Sequence, residues 1–142
     1  MSETSAVQGI VLCHAEMAAG MVQAARDITG VDAEALTPLS NRDCSPETLT
    51  RRVEGALRGG PAIVFTDLAA GSCGFTARRL CLKRGEVVVV SGVNLPMLVD
   101  FVMHRDMPLG ELVPRLMDKG RAGITASEPG QGKNERRALS GG

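Results

Sequence analysis

The chain has 142 residues, the size of a single domain of roughly 150 residues, with 44% hydrophobic and 23% charged side chains. Sixteen Lys and Arg balance sixteen Asp and Glu, so no basic surplus exists to drive nucleic-acid binding by counterion release. Three Phe, with no Tyr or Trp, leave almost nothing on which a base or a flavin ring could stack.

No apolar run approaches the about 18 residues of a membrane span, and MSETSAVQG lacks the basic-then-apolar order of an export signal. A cytoplasmic protein without direct membrane insertion is expected. Cys13, Cys44, Cys73 and Cys81 show no CxxC pairing or recurrent spacing, which reads as buried free thiols rather than bridges or a metal site.

In chain order, Val7–Cys13 is a short β-branched run and reads as a buried strand. Glu16–Thr29 reads as a helix with Met17, Met21, Ala25 and Ile28 on its buried face, stopped by Gly30. Ala35–Leu39 contains Pro38 and suits an edge strand. Ser45 is an N-cap ahead of Pro46, opening a helix with Leu49, Val53 and Leu57 in register, closed by Gly59-Gly60. Pro61–Thr66 is the next strand, and Gly71-Ser72 introduces a helix to about Lys83. Glu86–Ser91 is a continuously apolar strand, as expected when helices cover both faces. A turn at Gly92-Val93-Asn94 leads through Leu95-Pro96 into a helix to about Arg105, and a last helix spans about Leu109 to Ala122. His104 is explained by its place late in a helix, and Met97, Met103, Met107 and Met117 read as packing residues. Residues 127–142 form a polar, Gly-rich tail after a single folded unit at 1–126.

Strands alternating with helices imply an α/β fold: an open, doubly wound, flavodoxin-like sheet of about four parallel strands. Ligands bind such sheets beyond the carboxyl ends of the strands. That rule selects three loops: Cys13–Glu16, Thr66–Gly74 and Gly92–Pro96. A His after a strand is ordinarily a turn residue, an Asp there an ordinary helix entry, and Gly-rich turns are common; the convergence of three loops on one edge favours function. If the strands before His14 and Asp67 are neighbours, the carboxylate can hold one imidazole nitrogen and turn the other outward as a nucleophile. The small-residue loop beside it, with Gly71, Ser72, Cys73 and Gly74 opening a helix, offers backbone N–H groups to a phosphate. Phosphoryl transfer onto histidine is the chemistry this set supports.

At these same loops the chain resembles the mannose-family enzyme IIA domain of the bacterial phosphoenolpyruvate:sugar phosphotransferase system. The matching residues are Gly9–His14, Phe65–Ser72, Ser91–Val99, Arg105-Asp106 and Lys119–Ile124, so the likeness runs over about residues 7–126. The resemblance implies a cytoplasmic homodimer with a C-terminal strand exchanged between subunits. It implies that His14 accepts a phosphoryl group from the histidine phosphocarrier protein and passes it to a IIB partner. It further implies that Asp67 holds the imidazole, that Ser72 lies at the phosphate site, and that no metal or organic cofactor takes part. The family often has Gly, Trp and Pro where this chain has Ala15, Leu68 and Cys73.

Three alternatives stay beside that reading. The phosphorylated protein could regulate a target without sugar transport, or serve a dihydroxyacetone kinase as its phosphocarrier subunit, which the Gly92–Met97 loop disfavours. A flavodoxin-like binding or receiver domain would need an acidic cluster or aromatic residues that the chain lacks. A metal site at Cys13, His14 and Cys73 has suitable side-chain types without a recognised spacing.

Overall fold

A computed structural model of the chain describes residues 6–31 and 33–130. Its sheet is built from β1 (Gln8–Cys13), β2 (Leu36–Ser40), β3 (Ala62–Thr66) and β4 (Val87–Ser91), all parallel and ordered β2-β1-β3-β4. Among the described residues the crossovers are α1 (Met17–Thr29), α2 (Pro46–Ala56), α3 (Gly71–Lys83) and, after β4, α4 (Leu95–Met103) and α5 (Leu109–Ala122). This is the expected parallel α/β architecture.

Period-two alternation divides the core into two layers. Val7, Val11, Cys13, Ile63 and Phe65 face α1, α4 and α5, while Ile10, Leu12, Ala62 and Val64 face α2 and α3. Phe65 and Phe101 meet edge-on at 5.2 Å in the first layer. Gly9 makes room for this packing, because a Cβ there would lie 2.6 Å from the Phe101 ring.

Helix boundaries follow local capping. Ser45 accepts from the Thr48 N–H with Pro46 in the first turn, and Asn94 accepts from the Met97 N–H with Pro96 behind it. Pro38 sits in edge strand β2, where a missing donor is tolerated.

The structure corrects four expectations. In α1 the buried line is Ala18, Val22 and Ala25, whereas Met17 and Ile28 are exposed; the small side chains let the helix lie close to the sheet, which supplies the bulk. In β4 only Val87 and Val90 are buried and Val88 and Val89 are half-covered, because β4 lies at the sheet's edge. Met97 is buried and Met107 and Met117 pack at the core margin, but Met103 points outward. Cys13 and Cys73 are buried free thiols, while Cys44 and Cys81 are only partly covered. Residues 127–130 are exposed, and the remainder of the polar tail, with any exchanged strand in it, lies outside the described residues.

Candidate active site

Because β1 pairs directly with β3, with Leu12 opposite Thr66, the residues that follow these strands emerge side by side. Asp67 Oδ2 accepts from the His14 backbone N–H at 3.0 Å and lies 2.8 Å from His14 Nδ1. Its other oxygen accepts from the Leu68 N–H at 3.0 Å. Burial works against the charge on Asp67, but the donors from His14 overcome it and hold the carboxyl below its ordinary range. An ionised carboxylate only accepts, so Nδ1 carries the imidazole proton and Nε2 presents its lone pair. The His14 side chain is 42% exposed and Asp67 only 8%: the ring faces outward over a sheltered carboxylate.

Nε2 looks towards the start of α3. Gly71 has φ +93°, and a Cβ there would lie 3.6 Å from Nε2, so glycine keeps the space beside that nitrogen open. Gly74 is needed for a different reason, since its Cβ would fall 2.4 Å from the Ala69 carbonyl oxygen. The N-cap of α3 is Ala70, which has no side-chain oxygen to satisfy the first-turn N–H groups. Arg78, one turn beyond Gly74 on α3, donates to the Ala69 carbonyl and braces the loop. The result is an open anion cradle at a helix N-terminus within reach of the imidazole.

Asn41, just after β2, is a site residue that the sequence reading missed. Its Oδ1 accepts from the Ala15 N–H at 3.3 Å, and its Nδ2 donates to Ser72 Oγ at 3.2 Å, so it ties the His14 loop to the start of α3. The available signal was position alone: Asn41 follows a strand next to β1, at the same sheet edge.

The third expected loop, Gly92–Pro96, reaches that edge without joining the imidazole site. Asn94 Nδ2 donates 2.8 Å to the Gly120 carbonyl, and its oxygen caps α4, so its work is to dock α4 against α5. His104 is the C-cap of α4, with Nδ1 2.9 Å from the Asp100 carbonyl oxygen and 3.3 Å from its carboxylate. Of the three residues weighed as a metal site, Cys13 lies in the α1 layer and Cys73 in the α3 layer, on opposite faces of the sheet. Asp67 takes the place of Cys13: ligand atoms of His14, Asp67 and Cys73 all lie within 4.8 Å of one another. Burial first, and the Asp67 charge second, push the thiols up, Cys13 to about 12 and Cys73 to about 11.

The site thus sets an outward imidazole nitrogen between a sheltered carboxylate behind the ring and a helix N-terminus in front, at the carboxyl edge of a parallel α/β sheet. Residues 9–116 match the family model described as the EIIA-man family, PTS system fructose IIA component, and the chain belongs to that family. No curated protein matches the chain. Among solved structures, the phosphotransferase component EIIA from Streptococcus agalactiae superposes with a TM-score of 0.79 at 21% identity, covering 84% of this chain and 96% of its own. The mannose/sorbose-specific IIA subunit from Enterococcus faecalis gives 0.77 at 20% identity, with 87% and 96% covered. The IIA protein associated with the fucose utilization operon of Streptococcus pneumoniae gives 0.71 at 22% identity, with 87% and 96% covered. These likenesses show a shared fold. Among the described residues no helix is long and apolar enough to cross a membrane.

Proposed function

We propose that this chain is a phosphocarrier whose acceptor atom is Nε2 of His14. The observation that carries the reading is the Asp67–Nδ1 contact, which leaves Nε2 outward at the uncapped start of α3. The donor is the phosphorylated histidine carrier protein and the acceptor a IIB component, in the cytoplasm; residues 1–126 form the working unit and a homodimer the assembly.

In the forward step the Nε2 lone pair attacks phosphorus in line as the bond to the donor's histidine nitrogen breaks. His14 gains an N–P bond and imidazolium character, its Nδ1 proton remaining towards Asp67. The N–H groups at the start of α3 and the Ser72 hydroxyl receive the phosphoryl oxygens, offsetting the repulsion of the nearby carboxylate. Positioning and electrostatics carry such transfers, and no residue here needs to exchange a proton with the phosphoryl group. The exposed ring suits a transfer between two protein surfaces.

Intact mass after incubation with phosphoenolpyruvate, enzyme I and the histidine carrier protein tests the reading. One acid-labile phosphoryl group on the wild type and none on His14→Ala is the expected result. Equal labelling of His14→Ala overturns it.

A further inference from the structure

Cys73 gives the acceptor site a third kind of donor atom. It is fully buried in the first turn of α3, and its sulfur belongs with the ligand atoms of His14 and Asp67 to a group gathered within 4.8 Å. A tetrahedral zinc site with bonds of about 2.0–2.3 Å sets its ligand atoms about 3.3–3.6 Å apart, so an adjustment of about an ångström closes the set. The His14 Nδ1 to Asp67 separation of 2.8 Å must open slightly, as expected where an ion replaces the proton between them. Nitrogen, carboxylate oxygen and thiolate together suit zinc and exclude the all-oxygen preference of magnesium and calcium. Three protein ligands with a solvent-facing side leave the fourth position to water.

We propose that His14, Asp67 and Cys73 bind a thiophilic divalent cation of the zinc type, and that this ion and the phosphoryl group exclude one another. The inference deepens the phosphocarrier reading by adding a regulator of the same site, although metal binding itself does not depend on that reading. On binding, the Cys73 thiol releases its proton to solvent and sulfur bonds to the ion. When Nδ1 becomes the ligand, its proton moves to Nε2, and the lone pair needed for phosphoryl transfer is gone. When Nε2 is the ligand, the same lone pair is used directly. Either arrangement silences His14. The ion is an inhibitor here, with no part in the transfer step.

Cobalt is the probe. Titrated into reduced, metal-free full-length protein, Co2+ should produce the near-ultraviolet band of a cobalt–thiolate bond together with the visible bands of four-coordinate cobalt. Cys73→Ser and Cys73→Ala should both lose the thiolate band, with unchanged far-ultraviolet circular dichroism as the check on folding. Cys13→Ala should keep it, because Cys13 lies in the other layer. Second-sphere partners alone are worth about 10- to 100-fold in metal affinity, so His14→Ala should weaken binding at least that much. Absence of the band in wild type, or its persistence in folded Cys73→Ala, overturns the proposal. Stoichiometric zinc should then block phosphorylation of the wild type, and removal of the zinc by a chelator should restore it; zinc-bound wild type that is phosphorylated at the metal-free rate refutes the exclusion. Since the cobalt titration uses no phosphoryl donor, its outcome stands apart from that of the phosphocarrier assay.

Discussion

One oxygen of Asp67, Oδ2, holds His14 twice: it accepts from the backbone N–H at 3.0 Å and lies 2.8 Å from Nδ1. The backbone contact fixes where the ring starts and the ring contact fixes its tautomer. A substitution at Asp67 therefore disturbs both placement and nucleophilicity.

Asp67→Asn is nearly isosteric but uncharged, and an amide nitrogen in the Oδ2 position gives up the acceptor of the His14 N–H and donates to Nδ1, favouring the tautomer with a proton on Nε2. The phosphorylation rate should fall by about 10²-fold or more, at least as far as in Asp67→Ala, because the wrong tautomer costs more than a missing anchor. Single-turnover labelling by the phosphorylated carrier protein measures this, and a near-wild-type rate for Asp67→Asn would show the tautomer to be irrelevant.

Asn41 bridges two loops through exposed hydrogen bonds, so Asn41→Ala should lose only about 1 kcal/mol of stability. Phosphoryl transfer should slow more noticeably, and Asn41→Asp should be slower still, since it brings another negative charge to the phosphate. Thermal unfolding and labelling rates, compared across the two variants, separate the structural effect from the electrostatic one.

Ala15 has φ +52°, in the left-handed region where an L side chain is strained by about 1–2 kcal/mol. Glycine relieves that strain and gives back part of the gain through its freer unfolded chain. Ala15→Gly should raise stability by up to about 1 kcal/mol, read as a higher midpoint in denaturant. By contrast, Gly74→Ala drives a Cβ into the Ala69 carbonyl oxygen and should lose about 1–3 kcal/mol.

Far from the site, Asp100 receives two hydrogen bonds from Arg115, at 2.7 and 3.0 Å, and ties α4 to α5. Burial opposes its charge, yet Arg115, His104 and Lys119 together hold its carboxyl below the ordinary 3.8. A lowered native value means that the unfolded state takes up the proton first. The stabilisation is thus complete above the ordinary carboxylate range and is lost as pH falls through it towards the native value. Asp100→Asn should lose about 1–2 kcal/mol near neutrality and little at strongly acid pH, with unfolding curves at several pH values as the measure.

Short-range chemistry made much of this molecule legible in advance. Ser45 and Pro46 mark the start of α2, Gly71 the start of α3, and Leu109 and Ala122 bound α5, because capping and turn formation involve only neighbouring residues. The apolar runs at β1, β3 and β4 announced a parallel α/β sheet, and the residues just past β1 and β3 had to lie at its carboxyl edge. His14, Asp67 and the glycine loop could be named on that ground alone.

The tertiary structure decided what depends on lateral order. Only the order β2-β1-β3-β4 sets β1 against β3 and so brings Asp67 to His14. The same order brings Asn41 across from β2, while the docking of α5 draws Asn94 away. Strand alternation turns Cys13 towards the α1 layer, whereas Cys73 is carried by α3 on the other face of the sheet, leaving Asp67 rather than Cys13 beside the second thiol. Which face of α1 is buried also waited for packing, since small Ala18, Val22 and Ala25 fit against the sheet where Met17 and Ile28 do not. Periodicity and caps are written locally in a chain, whereas neighbouring strands and converging side chains arise from contacts between residues far apart in sequence.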